Sequence, residues 1–437
     1  MISLLHFKCI SGNCSKTNTL SDNPRMTTFP DAMNRPLAKP VLVQLAGALF
    51  CAAVSFGLTV VLARTFGPEL FGPYVAVLNL AAVVLIFQEG GWPARLYRES
   101  AQSSGALPNQ STASALGHVL VVTAALSALC VLTQAPSAWV TAVLCMGAVA
   151  AMNMVSSRMR GAGLFTQEAV WQSAGRVISA VAILAFLTLS AAPDISGVFF
   201  AWGCGLAVAL AWGSRPWLGR PRMPWAEGWP ALRQNYQQLF AFVVMAAAGA
   251  WLVKGDMVLM GTVWGFSLPA QDVSMYAACT RLTEAGLLVF APFTNVLFRR
   301  LNQLHAAQDK AGMTQLGWHS AVLAMGLGAM GVGCAVWFGN VAMATLFGPS
   351  FAAAGALLPW VACMLPLTMA NLVLAQWLTA LGHERHLSAW MLLAAGVMSV
   401  CLPWWASLWS VQGAAMAVMA AQGLLLSLSC LSIRSAR

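Results

Sequence analysis

The chain has 437 residues, of which 59% are hydrophobic and only 8% charged, with a mean hydropathy of +0.73 and a formal net charge of +10. A soluble protein carries about 25% charged residues because its surface must be wet, so a chain this poor in charge keeps most of its surface in lipid. The basic residues come in small groups between apolar runs rather than on one patch, which excludes nucleic acid as a partner.

From the N-terminus onward, residues 1–36 are polar, contain Pro24, Pro30 and Pro36, and read as a disordered cytoplasmic tail. They lack the apolar core and cleavage site of a signal peptide, and Met33 is a second candidate start. Apolar stretches able to cross the roughly 30 Å hydrocarbon layer then follow at 41–63, 73–90, 114–134, 138–157, 169–190 and 195–212. A basic linker at 215–238 holds Arg220, Arg222 and Arg233. Further stretches lie at 239–263, 273–298, 316–338, 351–380, 387–405 and 411–431. The expected fold is an all-α integral membrane protein of about twelve transmembrane helices in two six-helix bundles, 37–214 and 239–437, joined by the linker. An even number of crossings per half makes the halves parallel repeats about an axis along the membrane normal.

Charge supports the threading. With the N-terminus inside, nineteen of the 23 Lys and Arg residues fall on inner connectors, Arg64 alone falls on an outer one, and three lie within crossings. Both termini are therefore expected in the cytoplasm. Outer connectors are short, and the linker is too small to fold alone, so any activity belongs to the bundle. Most of the eleven cysteines sit singly in apolar stretches, where free cysteine acts as a small apolar residue. Many of the eighteen tryptophans, among them Trp217, Trp225, Trp404 and Trp405, fit interfacial belts. His383, Glu384 and His386 are close in sequence but lie in a short connector without a fourth ligand, and no metal is expected. His118 and His319 stand near helix starts and are expected to snorkel or cap. Pro292, Pro359 and Pro366 fall inside crossings and are expected to kink them.

Ionisable groups within crossings cost about 2.5–3.5 kcal/mol at mid-helix, so each needs a reason. Arg176, Lys254, Asp256, Arg281 and Glu284 are the firm cases. Lys254 and Asp256 are about 200° apart around their helix and make poor partners, whereas Arg281 and Glu284 are spaced to share a face. Asp256 is expected to face Arg281 across two adjacent helices. The alternatives at this point are ion pairs that only join helices, and a polar cavity wall in which cations attract an anion and acids bind a coupling ion.

One segment has a more specific signature. Arg64, Gly67, Pro68, Glu69, Phe71, Gly72 and Tyr74, following Leu62 and Ala63, resemble the first-hairpin motif of Wzx-like polysaccharide flippases in the superfamily that also holds MATE exporters and lipid II flippases. Lys254, Gly255 and Asp256 look like that family's seventh-crossing motif, and Tyr276 with Arg281 looks like the start of its eighth. Leu346-Phe347-Gly348-Pro349 and Leu381-Gly382-His383 resemble its joints around the tenth. The likeness covers roughly residues 40–430. It departs at Gln88-Glu89-Gly90-Gly91, where the family commonly has Asp-Leu-Gly.

The resemblance implies a carrier, not an enzyme, that moves an isoprenoid-diphosphate-linked oligosaccharide between leaflets of the cytoplasmic membrane. Membrane lipids and other polysaccharide assembly proteins are the partners it implies. A repeat unit with roughly ten hydroxyls would lose about 2–7 kcal/mol for each one left uncompensated in hydrocarbon, which only a hydrated cavity avoids. Arg176, Lys254 and Arg281 are then expected to form a cationic path for the diphosphate. Asp256 or Glu284 is expected to couple transport to H⁺ or Na⁺, with no other cofactor. The competing readings are a MATE-type exporter of small molecules, which would favour acids in the cavity, and a membrane polymerase or ligase, which would need a large outer loop that this sequence lacks.

Overall fold

The computed structural model describes residues 38–102, 109–213, 229–261 and 268–435. The predicted tail at 1–36 and residues 215–228 of the predicted linker lie outside them. Among the described residues the regular structure is helical: α1 Ala38–Glu89, α2 Trp92–Gln102, α3 Asn109–Leu132, α4 Ser137–Gly161, α5 Phe165–Leu189, α6 Ile195–Gly213, α7 Trp229–Gly261, α8 Ala270–Ala306, α9 Lys310–Phe347, α10 Ala354–Ala362, α11 Met364–Ala380 and α12 Glu384–Ser435. A 3-10 turn, Pro349–Phe351, precedes α10.

Two of these elements fold back on themselves. α1 has 52 residues and would extend about 78 Å if straight. Its backbone turns at Gly67, where φ 62 and ψ −175 describe a conformation closed to side chains bearing a Cβ. Near one end Gln44 Nε2 donates to Glu168 Oε2 at 3.4 Å, and at the other Asn153 Nδ2 donates to Glu89 Oε1 at 2.6 Å. Glu168 also accepts from Ser156, so both ends of α1 lie beside the junction of α4 and α5. In α12 Trp390 Nε1 donates to Ser432 Oγ at 2.8 Å, although the two are 42 residues apart, a separation of about 63 Å along a straight helix. Its turn is at Trp409 and Ser410, the latter with φ 52.

α1 and α12 therefore supply two crossings each, and α10 with α11 supplies one that is broken at Cys363. With α3 to α9, the described residues hold twelve crossings, as the sequence predicted. α2 is not one of them: it is short and amphipathic, with Arg95 paired to Glu99 at 2.7 Å one turn on. The turns alternate between two faces. Arg64 reaches Thr345 and Leu346, Ser274 reaches Pro68, and Ser410 reaches Asp272 at 3.2 Å, which gathers alternate turns on one face. Glu89, Ser156 and Glu168 mark the other.

Three boundaries differ from expectation. α7 begins at Trp229, so the later part of the predicted linker is helical rather than loop. α9 runs to Phe347, well past the predicted end. The tenth crossing is not one helix, because Pro366 lacks the N–H that would bond the carbonyl of Ala362, and the helix restarts at Met364. α2 to α6 pack on one another and on α1. α9 to α12 pack on one another and on α7 and α8. The two groups meet mainly where α1 lies against α7 and α8. That places α1 and α8, and the charges they carry, along the line between the groups.

Candidate functional site

Most of the ionic side chains expected within crossings meet at that line. Glu284 of α8 accepts from Lys254 Nζ of α7 at 2.5 Å on one oxygen and from Arg281 Nη1 at 2.7 Å on the other. Arg281 also donates through Nη2 to Asn79 Oδ1 of α1 at 2.7 Å. One carboxylate is thus shared by two cations, and a neutral amide takes the remaining arm of the guanidinium. The Arg281–Glu284 pairing on one helix face follows the sequence expectation.

The predicted Asp256–Arg281 pair does not form. Asp256 is buried and accepts instead from the Tyr276 hydroxyl at 2.8 Å and from the N–H of Met257 at 2.8 Å. The reason is rotation. Glu284 lies one turn from Arg281 on its own helix and meets it without any constraint on neighbouring helices. Asp256, two residues beyond Lys254, faces away from that cluster and meets α8 nearer its start.

Arg176 of α5 is elsewhere. It lines a pocket in the first group of helices with Asn153, Gln172, Gly175, Trp202 and Leu206. Among the described residues it makes no hydrogen bond or ion pair. The structure therefore does not bring Arg176 into the Lys254–Glu284–Arg281 cluster, and leaves it as a cation beside open space.

The first-hairpin residues have structural partners. Arg64 donates to the carbonyls of Leu346 at 2.8 Å and Thr345 at 2.5 Å, closing the last turn of α9. Gly67 makes the turn, and exposed Glu69 makes no ion pair among the described residues. Tyr74 is buried, its ring within 5.6 to 6.3 Å of Phe199, Phe66 and Phe71. The Gly72 N–H donates to Ser274 Oγ at 2.6 Å, and Ser274 in turn donates to the carbonyl of Pro68. A Cβ at Gly72 would stand 2.7 Å from Ser274 Oγ and 2.8 Å from its backbone nitrogen, so α1 and α8 touch here only because residue 72 has no side chain. Gly72→Ala is expected to destabilise the protein by about 1–3 kcal/mol, the usual cost of overpacking, seen as a lowered thermal unfolding midpoint of the purified protein.

No protein-family model and no curated protein matches the chain. Solved structures do. A multidrug resistance MATE family transporter of the MOP superfamily, in an inward-facing conformation, superposes with a TM-score of 0.64 at 12% identity, over 91% of this chain and 98% of the other. The lipid II flippase MurJ, in an inward closed conformation, gives 0.70 at 12% identity over 90% and 87%. The chain shares the fold of these two proteins. A MOP superfamily transporter from Pyrococcus furiosus, described as having a binding pocket of reversed polarity that suggests a different function, gives 0.58 at 12% identity over 94% and 99%.

Within this fold, several polar residues for which sequence reasoning gave no partner have defined contacts. Asn79 is neutral and gave no charge signal, yet it is the acceptor that ties α1 to Arg281. Glu168 fell just outside a predicted crossing, but it is buried at the start of α5, accepting from Ser156 and Gln44, with Arg160 Nε at 3.8 Å. Gln88 is buried and donates to Thr123 Oγ1 at 3.0 Å and to the carbonyl of Val143 at 2.9 Å. Glu89, at the family departure, pairs with Asn153, a wall of the Arg176 pocket. His118, expected to snorkel or cap, is buried instead. Its Nε2 donates to the carbonyl of Phe87 at 3.0 Å, which leaves Nδ1 to accept from Tyr236 of α7 at 2.5 Å. A polar residue inside or beside an apolar run was the available sign in each case, without a hint of its partner.

Proposed function

We propose that this chain is a membrane flippase that carries an isoprenoid-diphosphate-linked oligosaccharide across the cytoplasmic membrane for cell-surface polysaccharide synthesis. The two helical groups, 37–214 and 239–437, act as halves that rock about the line where α1 meets α7 and α8, opening the cavity to one leaflet at a time. The observation that carries the cargo reading is Arg176. A guanidinium within a crossing costs about 2.5–3.5 kcal/mol, and this one has no counter-charge among the described residues and faces a pocket. An anionic cargo supplies that charge. Asn153, Gln172 and Trp202 around it offer amides and an aromatic ring, which suit sugar hydroxyls and the apolar face of a sugar.

The roles of the central cluster follow from its pairing. Arg281 and Lys254 are each held by Glu284, so they act on cargo only by exchanging that partner for a phosphate oxygen. Among the described residues Asp256 contacts no cation, which makes it, rather than Glu284, the acid for a coupling H⁺ or Na⁺. The first-hairpin residues serve closure of the face bearing Gly67 instead of binding cargo.

Deleting the gene is expected to abolish surface polysaccharide and to accumulate the lipid-linked repeat unit on the inner leaflet, with both restored by the wild-type chain. Normal surface polysaccharide without an accumulated intermediate would remove this reading. Sensitivity of the same strain to cationic drugs would instead favour an exporter.

A further inference from the structure

The bonds from Gly72 to Ser274, at 2.6 Å, and from Arg281 to Asn79, at 2.7 Å, have a common arithmetic. In each pair the partners are 202 residues apart. On both helices the two contacts are also seven residues apart in the same direction, so the second limb of α1 and the first part of α8 run parallel along a heptad seam. Tyr74 and Tyr276 share the offset. A constant offset is what a two-fold axis along the membrane normal produces where equivalent helices of two repeats touch, because each position then faces its own counterpart. An axis relating the halves would pass through this seam.

At the Gly67 face the seam is shut by Ser274 on Gly72 and Pro68, with the rings of Phe71, Phe347 and Phe351 beside it at 5.8 to 6.4 Å from one another. Seven residues further along, the counterparts differ: one half presents the amide of Asn79, the other the guanidinium of Arg281. The bond between them carries charge on one side only, and Glu284 already holds the other arm of the guanidinium.

We infer that Asn79 is the positioning residue that sets when the seam parts. It holds Arg281 toward the first half while the Gly67 face is shut, and loses it to a diphosphate entering the cavity. A phosphate oxygen is charged and can bind a guanidinium in a bidentate manner, so it displaces a neutral amide carbonyl. Once Arg281 has left Asn79, the tie nearer the interior is gone and the outer contacts alone hold the halves. This rests on the anionic-cargo reading above. An aspartate at 79 would turn the tie into an ion pair, and a leucine would delete it.

The test is hydrogen–deuterium exchange of the full chain in lipid nanodiscs, followed on peptides spanning 68–80 and 270–283, with geranylgeranyl diphosphate as probe. Asn79→Asp is expected to slow exchange there about tenfold, and Asn79→Leu to speed it about tenfold, the effect of roughly 1.4 kcal/mol on the opening equilibrium. The probe should move the wild type toward the Asn79→Leu pattern and leave Asn79→Asp unmoved. If both substitutions shift exchange the same way, Asn79 only packs and the inference is overturned. Opposite shifts without a probe effect would keep the seam tie and remove its release by diphosphate, and the deletion strain would then decide separately whether the cargo reading stands. Should Asn79→Leu fail to fold, Asn79→Asp, which keeps the native shape, still decides: exchange no slower than wild type overturns the inference.

Discussion

Glu284→Leu is expected to destabilise the protein by about 2–3 kcal/mol, less than the roughly 3–5 kcal/mol for breaking a fully buried ion pair because the three side chains are only part-buried. The carboxylate accepts from Lys254 at 2.5 Å and from Arg281 at 2.7 Å, so its loss strands two cations within the bundle. Lys254→Met should cost much less, because Glu284 keeps Arg281 and only one charge of the three is lost. Adding Lys254→Met to Glu284→Leu should recover part of the loss, since it removes one of the stranded charges. Thermal unfolding of the detergent-purified variants, compared as a mutant cycle, measures these differences. Equal losses for Glu284→Leu and Lys254→Met would mean that the carboxylate does not serve both cations.

Arg176→Gln is expected to do the reverse: abolish surface polysaccharide while leaving the unfolding midpoint unchanged or raising it. No group among the described residues pairs with Arg176, so the substitution breaks no hydrogen bond or ion pair there and relieves part of the roughly 2.5–3.5 kcal/mol insertion cost of a charge within a crossing. A residue kept for stability would show loss of both together. Surface polysaccharide measured at matched protein level, beside the unfolding midpoint of the same variant, separates the two. Export at the wild-type level would take Arg176 out of the cargo path.

These contrasts show why the sequence could nominate the ionic residues without assigning their partners. The spacing of Arg281 and Glu284 was enough to pair them, since three residues along a helix fix a shared face. Lys254 and Asp256 were correctly kept apart on the same ground. Pairing between helices was another matter. Asp256 and Arg281 have opposite charges and lie on adjacent crossings, yet Tyr276 and Asn79, both uncharged, take those places. Neutral acceptors and donors buried in apolar runs give no sign of which helix they face. The same holds for His118, whose bond to Tyr236 joins α3 to α7 over 118 residues of sequence.

The number of crossings and the alternation of turns between two faces were legible in composition and in the spacing of apolar stretches, because hydrocarbon thickness acts on each segment independently of its neighbours. Gly67 could likewise be placed at a turn from its local motif, and φ 62 there bears that out. Only packing decided that α1 and α8 run parallel at a 202-residue offset, that one carboxylate serves two cations, and that Arg176 has no partner among the described residues. Those outcomes depend on the rotation of each helix about its axis and on its depth relative to others. Side chains from several distant segments set both at once, and no single segment encodes them.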